Sequence, residues 1–165
     1  MIAYVHTSVV LRKLLGEPRP LPEWGRIDAA YASRLLPTEL GRVIDRIRLA
    51  GKVDDEQVAS LHDEANRVLR SIELMQVTDA VLARAAGPLP AALGTLDAIH
   101  LATALDLAPT LDGLLVVATR DVGLARAARA CGSRVRADGL RGLTLDHLAG
   151  VAQDELGGVA QNLGR

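Results

Sequence analysis

The chain has 165 residues, a hydrophobic fraction of 49% with no Phe and one Trp, and a formal net charge of −1. That composition excludes a disordered chain and allows one domain of ordinary size, and the balanced charge excludes an overall positive field toward nucleic acid or anionic lipid. No basic–apolar leader opens the sequence and no apolar run approaches the roughly 18 residues of a membrane span, so the expectation is a soluble, cytoplasmic protein with no membrane partner.

In chain order, Ile2 to Val5 reads as a first strand. "TSVVLRKLLG" then reads as a helix with Thr7 as its cap and Gly16 as its stop. "GEPRPLPEWGR" (16–26), with its three prolines, reads as a surface connection in which Trp24 is a hydrophobic anchor. A short strand is expected around Ile27 to Ala32. Leu40, Val43, Ile44 and Ile47 follow at helical spacing, with Pro37 excluding a continuous helix from Ser33 and Gly51 closing the element. Asp54, Asp55 and Glu56 place acids in the first turn of a further helix.

"SIELMQV" (71–77) reads as a strand, and a short helix is expected from Asp79 to Ala86. "TLDAIHLATALDLA" reads as a helix packed through Ala98, Leu101, Ala102 and Leu105. "LLVVAT" (114–119) is apolar on both faces, the pattern of a buried parallel strand. A helix from Asp121 to Cys131 ends at Gly132, and "SRVRA" supplies a last strand. The single cysteine, Cys131, cannot form an internal disulfide, which suits a reducing cytosol, and it reads as a packing residue. Strands alternating with helices predict an α/β fold, three layers deep, with a mainly parallel sheet. Residues 141–165, rich in glycine, read as an extension beyond a domain at 1–140, either mobile or docking on a partner.

Ligands of open parallel sheets gather at the carboxyl ends of the strands. Asp121 follows one strand, while Asp97 and Glu39 begin helices. Acids at helix starts are also ordinary dipole partners, so spacing alone makes this constellation weak. Together the three could hold a hard divalent cation. The chain has no G-x-G-x-x-G after its first strand, no P-loop and no G-x-S-x-G elbow. Its four histidines have no zinc-ligand spacing, and His100, close to Asp97 on its helix, reads as a packed or hydrogen-bonded side chain.

Four segments, "YVHTSVVLRKLLGEP", "ASRLLPTELGRVIDRIR", "LGTLDAIHLATALDL" and "VVATRDVGLARAARACG", resemble the PIN-domain family, specifically the toxins of VapBC-type toxin–antitoxin pairs. The resemblance spans roughly residues 1–140. It implies a three-layer α/β/α domain with about five strands and a cluster of four acids that binds Mg²⁺ or Mn²⁺ and cuts RNA. It also implies neutralisation by a cognate antitoxin and a homodimer. By this resemblance Glu39, Asp97 and Asp121 match three of the family's acids, and Thr7, Ser8 and Thr119 match small hydroxyl positions that brace them. Arg42 and Arg46, with Asp45 between them, either touch RNA phosphates or form a solvated face, and Arg120, with Arg12, Lys13 and Arg126, is placed for a rim that reads the RNA backbone.

At the first acidic position the sequence departs from the pattern, with His6 in place of Asp. An imidazole removes one negative charge and replaces hard oxygens with a nitrogen that suits Mg²⁺ poorly and Zn²⁺, Ni²⁺ or Cu²⁺ better. The implied function is therefore a toxin-type endoribonuclease acting by metal-assisted phosphodiester hydrolysis, impaired by His6. The alternative is a catalytically inactive PIN module that works by binding antitoxin or RNA. An unrelated flavodoxin-like binding domain ranks last, because it leaves the Asp97 and Asp121 segments unexplained.

Overall fold

The computed structural model describes residues 1–16 and 24–137. Its sheet has five strands, β1 (Ile2–Val5), β2 (Ala29–Ser33), β3 (Glu73–Met75), β4 (Leu115–Ala118) and β5 (Arg134–Arg136), all parallel, in the order β3-β2-β1-β4-β5. The helices are α1 (Thr7–Leu14), α2 (Leu36–Leu49), α3 (Asp55–Leu69), α4 (Asp79–Ala86), α5 (Thr95–Leu107) and α6 (Val122–Ala130).

Side-chain alternation along the central strands decides the layers. Ala3 and Val5 of β1 and Ala118 of β4 point to a core completed by Val9, Val10, Leu36, Leu40, Ile44, Leu61 and Val68 of α1, α2 and α3. Tyr4 of β1 and Leu115 and Val117 of β4 point the other way, onto Leu101, Leu107, Leu124 and Ala128 of α5 and α6. Helix α4 packs outside α5, with Val81 against Ile99 and Ala102. The result is the three-layer α/β/α sandwich expected. Because α5 is covered on both sides, its buried residues run without a break from Ala98 to Ala104 and no narrow stripe is left to read.

Most element boundaries fall where the sequence puts them, and two expectations are corrected. The cap of α1 is His6 and not Thr7, and the Thr7 hydroxyl is drawn away to Glu39. Cys131 is exposed at the C-cap of α6, so it is not a packing residue. Leu105 lies on the packed side of α5 as expected, half-buried against the core of the α5–α6 side. Pro37 lies in the first turn of α2, where its missing N–H costs nothing. Trp24 packs partly buried against the core of the α1–α3 side, with the Lys13 ammonium 5.5 Å from its ring centroid. The extension at 141–165 lies outside the described residues, and no helix among those described is long and apolar enough to cross a membrane.

Candidate active site

The chain builds β1, β2 and β3 outward on one side and then returns to lay β4 and β5 on the other. The crevice above the carboxyl ends of β1 and β4 is thus the switch point of the sheet, where neighbouring connections diverge and leave room for a ligand. A pocket of about 490 Å³ opens there. It is lined by His6, Thr7 and Ser8 after β1, Thr38, Glu39, Arg42 and Arg46 on α2, Asp97 on α5, and Arg120 and Asp121 after β4. Leu11, Leu35, Val43 and Leu96 form its apolar walls. Every acid and every arginine proposed from the sequence as a site residue therefore meets in one place. Arg12, Lys13 and Arg126 are not among the described residues that line it.

His6 sits where the strand ends and the helix begins. Its backbone N–H still donates to Ala118 O at 2.9 Å, extending the β1–β4 ladder by one rung and fixing the ring over the pocket floor. Nδ1 lies 2.9 Å from Ser8 Oγ and 3.1 Å from Thr119 Oγ1. Both hydroxyl oxygens already accept a backbone N–H, Ser8 from Arg120 and Thr119 from Asp121, each at 3.0 Å. Each hydroxyl keeps a proton it can donate, and the group facing Nε2 is a carboxylate that can only accept, so in the neutral ring Nε2 carries the hydrogen and Nδ1 is the acceptor. That Nε2 faces Asp97 Oδ1 at 3.3 Å. Ser8 and Thr119 thus brace His6 and the loop after β4, whereas Thr7 alone of the three hydroxyls reaches an acid, donating to Glu39 Oε2 at 2.5 Å.

A second imidazole lies behind the first. His100 is fully buried, its ring perpendicular to that of His6 at 4.7 Å between centroids. Its Nε2 donates to Glu39 Oε2 at 2.7 Å, and Nδ1 accepts from the Tyr4 hydroxyl at 3.0 Å. Burial raises the Tyr4 pKa far above the phenol range, so that hydroxyl keeps the proton it donates. Burial likewise pushes the His100 pKa down, and the ring is neutral. For Glu39, burial acts upward, but the His100 hydrogen bond and then the Thr7 hydroxyl outweigh it and hold the carboxyl below its ordinary value. The Asp97 carboxyl is also held low, first by its contact with His6, against the opposing effect of burial.

Asp121 caps α6, its Oδ1 accepting the Leu124 N–H at 2.6 Å. Gly123 leaves room for this, since a Cβ there would stand 3.2 Å from that oxygen. On the rim, Arg42 donates to Asp45 at 3.0 Å in an exposed i,i+3 pair that contributes little and is readily exchanged.

A hard divalent ion needs several oxygens converging at about 2.0–2.6 Å. Here Glu39 Oε2, Asp97 Oδ1 and Asp121 Oδ1 each face a donor of the protein itself. Among the described residues no three His, Cys, Asp or Glu side chains are grouped to hold an ion. As arranged around His6, the donor set does not fit Mg²⁺.

The Tyr4–His100–Glu39 chain was not assembled in the sequence reading. Tyr4 and His100 are 96 residues apart, and only the burial of an otherwise polar His100 on an apolar helix marks it. The apolar walls were missed for the same reason, being ordinary core-type residues until the crevice exposes them.

The family model of the PIN domain matches residues 3–130. The chain belongs to the PIN-domain family. No curated protein matches the sequence. Among solved structures, a chain in the crystal structure of VapBC2 from Rickettsia felis bound to a DNA fragment from their promoter is similar in fold. The likeness has a TM-score of 0.58 and 12% sequence identity, covering 83% of this chain and 98% of that one. In this PIN domain the crevice lies at the switch point of the sheet, with His6 among the residues that line it.

Proposed function

We propose that this PIN domain is the RNA-directed toxin of a toxin–antitoxin pair, an endoribonuclease scaffold whose hydrolysis is impaired by His6. The observation that carries this reading is the meeting of Glu39, Asp97 and Asp121 with Arg42, Arg46 and Arg120 in one crevice. Acids and phosphate-binding guanidiniums in a single pocket suit a phosphodiester substrate. The likeness in fold to a VapBC2 chain supports a cognate antitoxin as partner, its segment seated on the apolar walls beside the acids. The protein acts in the cytoplasm as a homodimer.

Cutting by the family resemblance uses Mg²⁺ or Mn²⁺. An aspartate at position 6 would complete the four-acid set such an ion requires, and His6 breaks it. The contact of His6 Nε2 with Asp97 favours a second reading, a catalytically inactive module that binds antitoxin or RNA.

The deciding experiment compares this chain with its His6→Asp version, free of antitoxin, on a panel of structured RNAs with Mg²⁺ and then Mn²⁺. The expected outcome is cutting by His6→Asp, abolished by EDTA, with this chain slower by about 10²-fold or more. Equal cutting by both would show that position 6 is not required. If neither cuts while both are folded, the binding-module reading takes first place.

A further inference from the structure

A phosphodiester entering a pocket of carboxylates is repelled unless positive charge stands against them. In this pocket that balance is met by the protein alone. The acids lining it are Glu39, Asp97 and Asp121, and the guanidiniums are Arg42, Arg46 and Arg120, three against three. An aspartate at position 6 would make the acids four. The three that remain are each turned toward an internal donor: Glu39 to His100 at 2.7 Å, Asp97 to His6 at 3.3 Å, and Asp121 to the first turn of α6 at 2.6 Å. The amide end of a helix is itself a site of partial positive charge. A cation entering would have to displace these donors. Arg42 and Arg46, by contrast, are exposed, and the pair of Arg42 with Asp45 can open for a phosphate, while Arg120 is half-buried with its Nε enclosed.

We infer that the pocket of this chain binds single-stranded RNA without a divalent cation, the internal donors and rim arginines doing what an ion would otherwise do. The inference rests on the RNA-directed reading above and deepens it. RNA is favoured over an acidic peptide because three guanidiniums line a crevice whose apolar walls, Leu11, Leu35, Val43 and Leu96, leave surface for a base beside the phosphate.

The test is fluorescence anisotropy of a labelled single-stranded RNA of about 16 nucleotides, titrated with the full chain in EDTA and then in Mg²⁺ at matched ionic strength. Matching matters because Mg²⁺ competes with arginine for phosphate. For this chain the two affinities should agree within about threefold. For His6→Asp, binding in EDTA should fall at least about tenfold and return with Mg²⁺. Arg46→Ala should weaken the cation-free binding and lower the salt slope by about 0.7. An unchanged affinity and slope in Arg46→Ala would place the RNA elsewhere and overturn the inference. A rise of tenfold or more on adding Mg²⁺ to this chain would also overturn it, whether or not His6→Asp folds, and would leave the RNA-directed reading standing. Absence of RNA binding by both folded proteins under every condition would overturn both.

Discussion

His100 holds Glu39 from below and is itself held by Tyr4, and none of these three can be replaced without leaving a buried partner unsatisfied. An unpaired buried donor or acceptor costs about 1–3 kcal/mol, and more when a carboxylate is stranded. His100→Ala should therefore destabilise the domain by about 3 kcal/mol, measured by urea unfolding. A loss below about 1 kcal/mol would mean that the Thr7 hydroxyl and solvent satisfy Glu39 once the ring is gone. At this scale the sequence was readable for identity and not for pairing. Glu39, Asp97 and Asp121 could be picked out as acids at helix starts, yet nothing in their spacing tells that Asp97 meets His6 while Glu39 meets His100. Those partners come from strands and helices as many as 91 residues apart (97 − 6), and only packing brings them together.

Elements were more legible because their signals are local. Helix α3 begins with a complete capping box: Asp54 Oδ1 accepts the Gln57 N–H at 2.8 Å, and Gln57 Oε1 accepts the Asp54 N–H at 2.9 Å. Both residues lie within one turn, so the chain itself dictates where the helix starts. Asp54→Ala should cost about 1 kcal/mol, seen as a fall of about 3 °C in Tm; no change in the melt would show that tertiary packing alone sets this end. The glycines at 16, 51 and 132, all with positive φ, mark helix ends for an equally local reason. Helix α1 was misjudged at its cap because the competition was not local. Thr7 is a good capping residue, but Glu39, 32 positions on, takes its hydroxyl.

At the scale of the molecule, Glu39, Asp97 and His100 act in one direction on stability as pH falls. Glu39 and Asp97 are held below their ordinary values when folded, so the unfolded chain binds their protons first on acidification. The stability they give is present above the unfolded carboxylate range near pH 4 and is lost as pH falls through the folded values. His100 is also held low, so below about pH 6.5 the unfolded imidazole gains a proton that the folded one refuses. Tm should accordingly decline from near pH 6.5 downward and more steeply below pH 4.5, followed by thermal melts across that range. A Tm that stays level between pH 7 and pH 5 would contradict the burial of a neutral His100.

The three-layer α/β sandwich, the parallel sheet and the family were determined by the sequence itself, because apolar period, caps and strand-length runs are properties of neighbouring residues. Its four family segments also named Glu39, Asp97 and Asp121, and marked His6 as the odd residue among them. Tertiary structure alone decided what His6 does. The order β3-β2-β1-β4-β5 sets β1 beside β4, which places Ser8, Thr119 and Asp97 around one imidazole. Hydrogen bonds among side chains so far apart in sequence depend on distance and angle in space, which no local pattern of residues encodes.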